Sequence, residues 1–272
     1  QFRVPGPPRK TYRPDLGLAA SGNEKKIQNA FTFGQHFPNA QPRSRNFQLI
    51  QMTLGLESHD VSPFLTHHQG LALALQLLGP ADGTTATALL QLFFREIGVD
   101  LLCHIPDRRK EGYGLNCEAI KGLGASGVSL VITVDCGSSD AEQISFAASI
   151  GIDFIVTDHH EMKAGRPPAY AVLNPKQEGC GYPFKGLAGV GVAFCFARGL
   201  RTSLRDAGML KDGGPNLKRH LDLVSIGTVA DMVPLVDENR VYVSHGLKEL
   251  EKTLKPGLRA LMEVCAIRPG RV

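Results

Sequence analysis

The chain has 272 residues, of which 43% are apolar and 21% charged, with a formal net charge of +4. This is an ordinary globular composition, and the 30 glycines and 17 prolines argue against a coiled coil or a simple helical bundle. No run approaches the roughly 18 consecutive apolar residues that a membrane-spanning helix needs, which excludes such a span.

The start of the chain shows no apolar segment between a basic head and a cleavage site, so we expect a cytoplasmic protein. The six cysteines form no CxxC pair and no zinc-knuckle spacing, and reduced thiols fit that compartment. Residues 1–60 hold eight of the 30 Lys and Arg residues and four of the 26 acids, so the whole charge excess lies there. An excess of this size is weak support for binding a phosphate backbone.

Residues 1–78 form an irregular N-terminal region, without sustained periodicity before residue 70. The apolar run at residues 70–78 fits either a buried strand or a short helix, and periodicity does not decide between them. Strands and helices then alternate over residues 79–236. In chain order, we predict a helix at 84–98, a strand at 99–105, a helix at 116–123, a strand at 129–134, a helix at 139–150, a strand at 152–157 and helices at 190–205 and 221–229.

Nearly all-apolar strands separated by helices of about a dozen residues are typical of a parallel sheet covered on both faces. We therefore predict an α/β protein with a doubly wound, mostly parallel sheet. An amphipathic helix at 239–253 follows it. The glycine-rich stretch at 186–191 lacks the Lys-Ser/Thr of a phosphate-binding loop, so we interpret it as close backbone packing at a helix start.

Two predicted strands end in residues of the types that commonly bind metals. Asp135 directly follows the strand at 129–134, and Asp158, His159 and His160 directly follow the strand at 152–157. For a single strand, a capping aspartate with two surface histidines would be the better interpretation. Two successive strands favour a metal site, because ligands of open parallel sheets gather at the carboxyl ends of the strands.

Two further acids fit this pattern. Asp82 precedes a predicted helix, where it could equally be an N-terminal cap. Asp231 follows an apolar stretch in which a lone carboxylate is costly. Three carboxylates and one histidine suit Mn²⁺ or Mg²⁺ better than zinc. Such sites typically activate water for attack on phosphorus.

A family resemblance rests on several segments. The tetrapeptide TDHH at residues 157–160 resembles the signature of the DHH phosphoesterases, and the other segments resemble the RecJ-type exonucleases of that family. They lie in order between about residues 81 and 266: ADGTTATALL at 81–90, IPDR at 105–108, EGYGL at 111–115, VDCG at 134–137, NP at 174–175, YPF at 182–184, LAGVGVAF at 187–194, GTVADMVPL at 227–235 and ENR at 238–240. Their order and spacing make the resemblance specific, which a lone DHH tripeptide would not be.

The resemblance implies a DHH domain with a mostly parallel sheet and a two-metal, usually manganese, centre. It implies that Asp135 bridges the two ions. It further implies that Asp82, His159 and Asp231 complete one of the two metal sites. The implied reaction is exonucleolytic hydrolysis of single-stranded DNA by metal-activated water, in DNA repair and recombination.

The resemblance also assigns roles beside the metals. His160 is expected to face the scissile phosphate, and Arg108 to steady a phosphate. Asp158 is expected to orient the histidines, as carboxylates behind a metal centre do. The expected partner is single-stranded DNA, without a membrane, and we expect a monomer.

The chain departs from the family pattern in three places. The family's first motif normally reads Gly-Asp-Tyr-Asp-Ala-Asp-Gly, and only Asp82 of its three aspartates is present, with Leu78 and Pro80 in place of the others. Residues 20–79 do not resemble the family's usual N-terminal region, and either a divergent insertion or a reading-frame error accounts for this. Residues 237–272 are expected to begin a helical connector to the family's second domain, which the chain does not reach.

Two other functions remain open. A DHH enzyme that acts on short oligonucleotides or cyclic dinucleotides would use the same chemistry, although the RecJ-type segments disfavour it. A non-catalytic nucleic-acid-binding relative is favoured by Leu78 and Pro80, because these residues remove acids of the first motif.

Overall fold

The structure is a computed structural model that describes residues 81–106, 114–162 and 165–267, together with the backbone of residues 73–76. Apart from that short backbone segment, the N-terminal region predicted over residues 1–78 lies outside the described residues. Leu78, Pro80 and Arg108, on which part of the functional interpretation depends, lie outside them as well.

Five described strands form one parallel sheet. In chain order they are β1 (Leu73–Gln76), β2 (Leu102–Cys103), β3 (Leu130–Val134), β4 (Asp153–Thr157) and β5 (Ala171–Leu173). Their spatial order is β2-β1-β3-β4-β5, and each neighbouring pair is parallel. The apolar run at residues 70–78 therefore contains a strand, which its periodicity does not reveal.

The strand predicted at 99–105 is wrong in its length, because only Leu102–Cys103 is a strand. It lies at the edge of the sheet and pairs with β1 alone. Leu102 is 44% exposed, so this strand is not buried on both faces as the inner strands are. Apolar character alone therefore overestimates its length.

The inner strands send their side chains alternately to two hydrophobic cores, one on each face of the sheet. On β3, Ile132 joins one core and Val131 the other, and Ile155 and Phe154 of β4 divide in the same way. This follows from the two-residue period of a strand. All five residues of β3 are buried, which explains why its sequence is almost continuously apolar.

Helices cover both faces, which confirms the predicted doubly wound α/β fold. In chain order they are α1 (Asp82–Glu96), α2 (Cys117–Ala125), α3 (Ala141–Ser149), α4 (Gly189–Asp206), α5 (Leu221–Ala230), α6 (Asp237–Leu250) and α7 (Pro256–Val264). Residues of α2 and α3 contribute to the smaller core, whereas α1 and α4 to α7 contribute to the larger one. Among the described helices, none is long and apolar enough to cross a membrane.

Local signals explain where several helices begin and end. The Asn116 side chain accepts hydrogen bonds from the N–H groups of Glu118 (2.8 Å) and Ala119 (3.2 Å), which confirms the predicted cap of α2. Gly98 follows α1 with a φ of 78°, a conformation that glycine adopts without strain, and it confirms the predicted stop. The helix predicted at 239–253 is confirmed as α6, with slightly earlier bounds. Whether residues 237–272 form a connector separate from the sheet domain stays a prediction.

Replacing Asp222 by alanine should destabilise the fold by about 3 kcal/mol, because it breaks a buried ion pair. Asp222 is 1% exposed, and both its carboxylate oxygens lie 2.8 Å from the Lys255 ammonium, which joins α5 to the start of α7. Equilibrium unfolding in urea measures the loss. The matched control is Glu118→Ala, which removes an exposed ion pair with Lys121 and should cost far less. Equal costs for the two variants would contradict this account.

Candidate metal centre

The topology brings three sequence-distant segments to one edge of the sheet. The strand order changes direction between β1 and β3, and ligands of such sheets bind outside the carboxyl ends of the strands at this point. The helix α1, which begins at Asp82, follows β1, and Asp135 directly follows β3. Asp158, His159 and His160 directly follow β4, the next strand in the sheet.

Asp135 turns away from β3 in a strained backbone conformation. Its φ is 60°, its N–H donates to the Thr157 carbonyl at 2.9 Å, and the residue is 3% exposed. A non-glycine residue in the left-handed region is uncommon, and the strain costs about 1 kcal/mol or more. Because such strain concentrates at functional sites, the conformation of Asp135 supports a functional role for its carboxylate.

Asp158 fixes the turn that carries the two histidines. Its Oδ1 accepts hydrogen bonds from the backbone N–H groups of His159 (2.7 Å) and His160 (3.2 Å) and from His160 Nδ1 (2.7 Å). Its Oδ2 accepts from the Ser138 N–H at 2.9 Å. Burial alone would raise the pKa of Asp158, but the hydrogen bonds and charge of His160 and the Ser138 N–H lower this pKa to about 2. Asp158 is therefore a carboxylate engaged with the protein, as expected of a group that orients the histidines.

Asn174 holds the turn of the two histidines in place, a role that the sequence alone does not predict. It is 2% exposed, and its amide donates to the Ser138 hydroxyl (2.9 Å) and to the His160 carbonyl (2.8 Å). It thereby links the turns after β3 and β4. The Asn174-Pro175 dipeptide belongs to the segments that carry the family resemblance, and this was the signal for its importance.

His159 lies between two carboxylates. Its Nε2 is 3.1 Å from Asp135 Oδ1 and 3.6 Å from Asp231 Oδ2. His160 Nδ1 is 3.8 Å from the same Asp135 oxygen, and the His160 side chain is 46% exposed. His159 and Asp135 thus form the buried part of the cluster, whereas His160 lies at its opening.

Asp82 binds the start of α4 instead of capping its own helix. Its two carboxylate oxygens accept hydrogen bonds from the N–H groups of Gly189 (2.7 Å) and Val190 (2.8 Å). The N-cap of α1 is Ala81, so the alternative that Asp82 caps the following helix is wrong. The free N–H groups of a helix start attract a carboxylate, and here they come from a segment more than 100 residues away.

The glycine-rich stretch at 186–191 packs closely at a helix start, as predicted. The helix α4 begins at Gly189. A Cβ atom on Gly189 would lie 2.9 Å from Asp135 Cβ, Asp135 Oδ1 and Asp82 Oδ2. Only glycine therefore allows α4 to approach both carboxylates.

The pKa shifts of the clustered side chains indicate that their negative charge is not fully balanced by positive charge. Burial raises the pKa of Asp82, the Asp135 carboxylate raises it further, and the result is about 7. Burial also raises the pKa of Asp231. The hydrogen bond to Asp158 raises the pKa of His160. Burial lowers the pKa of His159, but the carboxylates of Asp135 and Asp231 outweigh burial and raise it. All four shifts favour adding a proton, and a bound cation would supply the same charge.

The donor atoms fit a divalent cation. Within the described part of the chain, Asp135 Oδ1, His159 Nε2 and Asp231 Oδ2 are buried and lack a hydrogen-bond partner. The ligand atoms of Asp82, His159 and Asp231 lie within 4.8 Å of one another, and so do those of Asp135, His159 and His160. Buried polar atoms are normally satisfied, and this set of oxygens with an imidazole suits Mn²⁺ or Mg²⁺. The structure thus brings together the four residues predicted as ligands, while Arg108 lies outside the described residues.

Replacing Gly189 by alanine should weaken Mn²⁺ binding by about tenfold or more, because the new methyl group displaces the carboxylates of Asp82 and Asp135. Calorimetric titration measures the affinity. Gly122→Ala is the matched control, since Gly122 is also helical and a Cβ there has no atom within 4 Å. Unchanged affinity in the Gly189 variant would show that the carboxylates do not need this close approach.

Comparisons with curated proteins and solved structures agree with one another. The single-stranded-DNA-specific exonuclease RecJ of Bacillus subtilis is 42% identical over 184 residues, and that of Escherichia coli is 44% identical over 191 residues. Each alignment covers 68% of this chain, but only 22% and 33% of those relatives, respectively. The chain therefore spans at most a third of the length of these two proteins.

Two solved structures are similar. A crystal structure of exonuclease RecJ bound to manganese superposes with a TM-score of 0.63 at 30% identity, covering 80% of this chain and 51% of that one. RecJ from Thermus thermophilus in complex with Mn²⁺ gives a TM-score of 0.59 at 26% identity, covering 95% of this chain and 36% of that one. Residues 80–228, more than half of the chain, match the DHH family N-terminal domain. The chain belongs to the DHH family.

Proposed function

We propose that this chain is a metal-dependent phosphodiesterase that hydrolyses single-stranded DNA from an end. The observation that carries the proposal is the convergence of buried carboxylate and imidazole atoms at the carboxyl edge of the sheet, which lie against one another and have no other partner among the described residues. The RecJ relatives named as single-stranded-DNA-specific exonucleases support the substrate class.

Asp82, Asp135, His159 and Asp231 would hold the ion, which we propose to be Mn²⁺ or Mg²⁺. The manganese-bound RecJ structures support this choice of metal. A divalent ion in such a site supplies Lewis-acid charge that stabilises the negative charge developing on a phosphodiester. The four ligands would hold it between α1, β3, β4 and the end of α5.

His160 would contact the scissile phosphate. Since a carboxylate only accepts, His160 Nδ1 donates a hydrogen bond to Asp158, and Nε2 is the ring nitrogen that remains for a phosphate oxygen. The raised pKa of His160 favours the protonated ring, which can donate a charge-assisted hydrogen bond. Asp158 would act through His160 by fixing its ring, and Arg108 would steady a neighbouring phosphate.

The non-catalytic alternative remains a second candidate, because Leu78 and Pro80 replace two acids of the family's first motif. A protein of this kind would bind single strands without cutting them. The third candidate, an enzyme for short oligonucleotides or cyclic dinucleotides, would prefer those substrates over long single strands.

One nuclease assay separates these functions. The substrates are end-labelled single-stranded DNA, circular single-stranded DNA, blunt duplex and a cyclic dinucleotide, each with Mn²⁺ and with chelator. We expect slow, Mn²⁺-dependent release of nucleotides from the linear single strand alone, and Asp135→Asn should remove it. Cleavage of the circle would contradict attack from an end. Faster turnover of the dinucleotide would favour the enzyme for short oligonucleotides or cyclic dinucleotides. Binding of the single strand without any cleavage would favour the non-catalytic protein.

Binding of single-stranded DNA should be weak and strongly dependent on salt. Phosphate contacts made by basic side chains release counterions, so log affinity should fall with log salt by roughly 0.7 for each contact on a single strand. Fluorescence anisotropy with a labelled oligonucleotide at several salt concentrations measures the slope. Tight binding that does not change with salt would contradict the proposal. The monomeric state and the cytoplasmic location stay predictions.

A further inference from the structure

A single buried side chain joins the loop that follows the proposed ligand Asp231 to the loop that precedes Gly189, whose N–H holds the proposed ligand Asp82. Asn239 lies in the first turn of α6 and is 0% exposed. Its Nδ2 donates hydrogen bonds to the Gly186 carbonyl at 2.6 Å and to the Pro234 carbonyl at 3.0 Å. Both partners are carbonyl oxygens that only accept, so the amide nitrogen must face them.

Each bonded carbonyl lies three residues from a part of the metal centre. Pro234 follows Asp231 by three residues, on the loop between α5 and α6. Gly186 precedes Gly189 by three residues, and the Gly189 N–H holds the Asp82 carboxylate at 2.7 Å. The Asn239 amide therefore connects the chain segment of one proposed ligand to the segment that fixes another.

The loop after Asp231 has strained backbone that needs such a restraint. Met232 and Asp237, at its two ends, have φ values of 57° and 44°, in the left-handed region that non-glycine residues seldom adopt. Strained conformations persist only where surrounding contacts hold them. The start of α6 is itself fixed, because the buried Glu238 accepts a hydrogen bond of 2.6 Å from the Tyr182 hydroxyl.

The amide of Asn239 is satisfied on one side only. Its Oδ1 is buried and accepts no hydrogen bond from any residue that the structure describes. An aliphatic residue would avoid this unsatisfied oxygen, which is unfavourable in the interior. The presence of asparagine here thus favours a need for the two hydrogen bonds that Nδ2 donates.

We infer that Asn239 is a positioning residue of the metal centre. It sets the separation of Asp231 and Asp82 by tying the loop after Asp231 to the loop before Gly189, which holds Asp82. It touches neither the ion nor the substrate and acts through the Pro234 and Gly186 carbonyls. This inference rests on the proposed metal-dependent function and assigns a role to the ENR segment at 238–240.

Asn239→Asp is the sharpest test, because it keeps the shape of the side chain but replaces the amide donor by an oxygen that faces two carbonyls. Mn²⁺ affinity is measured by calorimetry on the full chain, at a temperature where circular dichroism shows the variant folded. We expect an affinity about tenfold or more below wild type, which is the scale for residues that orient metal ligands. The electron paramagnetic resonance spectrum of bound Mn²⁺ should also change, since the ligand geometry changes.

The control is Thr253→Val, which removes a hydroxyl that donates to Asp222 at 2.7 Å, on the loop between α6 and α7. It should lower the melting temperature and leave both the Mn²⁺ affinity and the spectrum unchanged. If Asn239→Asp does not fold, Asn239→Ser takes its place, because serine keeps one donor and should give an intermediate loss of affinity.

The outcomes separate the two proposals. A folded Asn239 variant with wild-type affinity and spectrum would overturn the positioning role alone. Loss of folding in both Asn239 variants would also overturn it, in favour of a purely structural role. A wild-type chain that binds no Mn²⁺ would overturn the proposed function, and this inference with it.

Discussion

Asp135→Asn should abolish Mn²⁺ binding and, with it, hydrolysis. The Asp135 carboxylate lies 3.1 Å from His159 Nε2 and 3.8 Å from His160 Nδ1, and it is buried. Asparagine keeps the size of this side chain but removes its charge. Changes to residues that only orient ligands weaken metal binding roughly 10- to 100-fold, so loss of the central carboxylate should exceed about 100-fold.

A second signature distinguishes this from unfolding. Without metal, circular dichroism should show that the variant is folded, because asparagine keeps the size of the side chain. With saturating Mn²⁺, wild type should gain thermal stability and the variant should not. Asp212→Asn, an exposed aspartate in a short 3-10 helix, is the matched control and should behave as wild type. A Mn²⁺-dependent melting shift that survives in Asp135→Asn would contradict the assignment.

Placing acids at positions 78 and 80 should raise the rate of hydrolysis by on the order of 100-fold or more. Removing one group that stabilises charge in the transition state lowers the rate of other enzymes by a similar factor. The resemblance places acids of the first motif where this chain has Leu78 and Pro80. A two-metal mechanism needs a second ion about 3.5–4 Å from the first, and neither leucine nor proline offers an oxygen ligand. The wild-type chain should therefore bind one ion well and cut slowly.

The experiment compares wild type with the double variant Leu78→Asp, Pro80→Asp. Calorimetry should show one Mn²⁺ per wild-type chain and two per variant chain, together with faster digestion of single-stranded DNA. The control is Leu78→Asn, Pro80→Asn, which adds polarity without a charge and should gain far less. Two tight sites with rapid digestion in wild type would contradict the prediction, as would a double variant that gains neither an ion nor rate.

The sequence predicts the centre of the fold well, because local patterns determine it. The strand β3 and all of β4 except its first residue are buried, and both strands are mostly apolar, so their sequences reveal them. An aspartate directly after each strand then predicts the edge where a site forms. The short strand β5, only three residues long, carries too little pattern to be predicted, and the edge strand β2 is shorter than its apolar run.

Contacts between distant segments limit the prediction of the site. The sequence allows Asp82 to be either a helix cap or a metal ligand. The hydrogen bonds from Gly189 and Val190 exclude a cap of its own helix, and no local pattern reveals these partners. Asn174 and Asn239 stand in segments that resemble the family, but their roles follow only from bonds across loops. The structure brings Asp82, Asp135, His159 and Asp231 together, and their role as metal ligands stays a prediction.

Anomalous diffraction at the manganese edge, from crystals of the chain grown with Mn²⁺, tests the central claim most directly. We predict one strong anomalous peak per chain, bound by Asp82, Asp135, His159 and Asp231 at the carboxyl edge of the sheet. The absence of a peak there in fully soaked crystals, or a peak held by other residues, would contradict the claim.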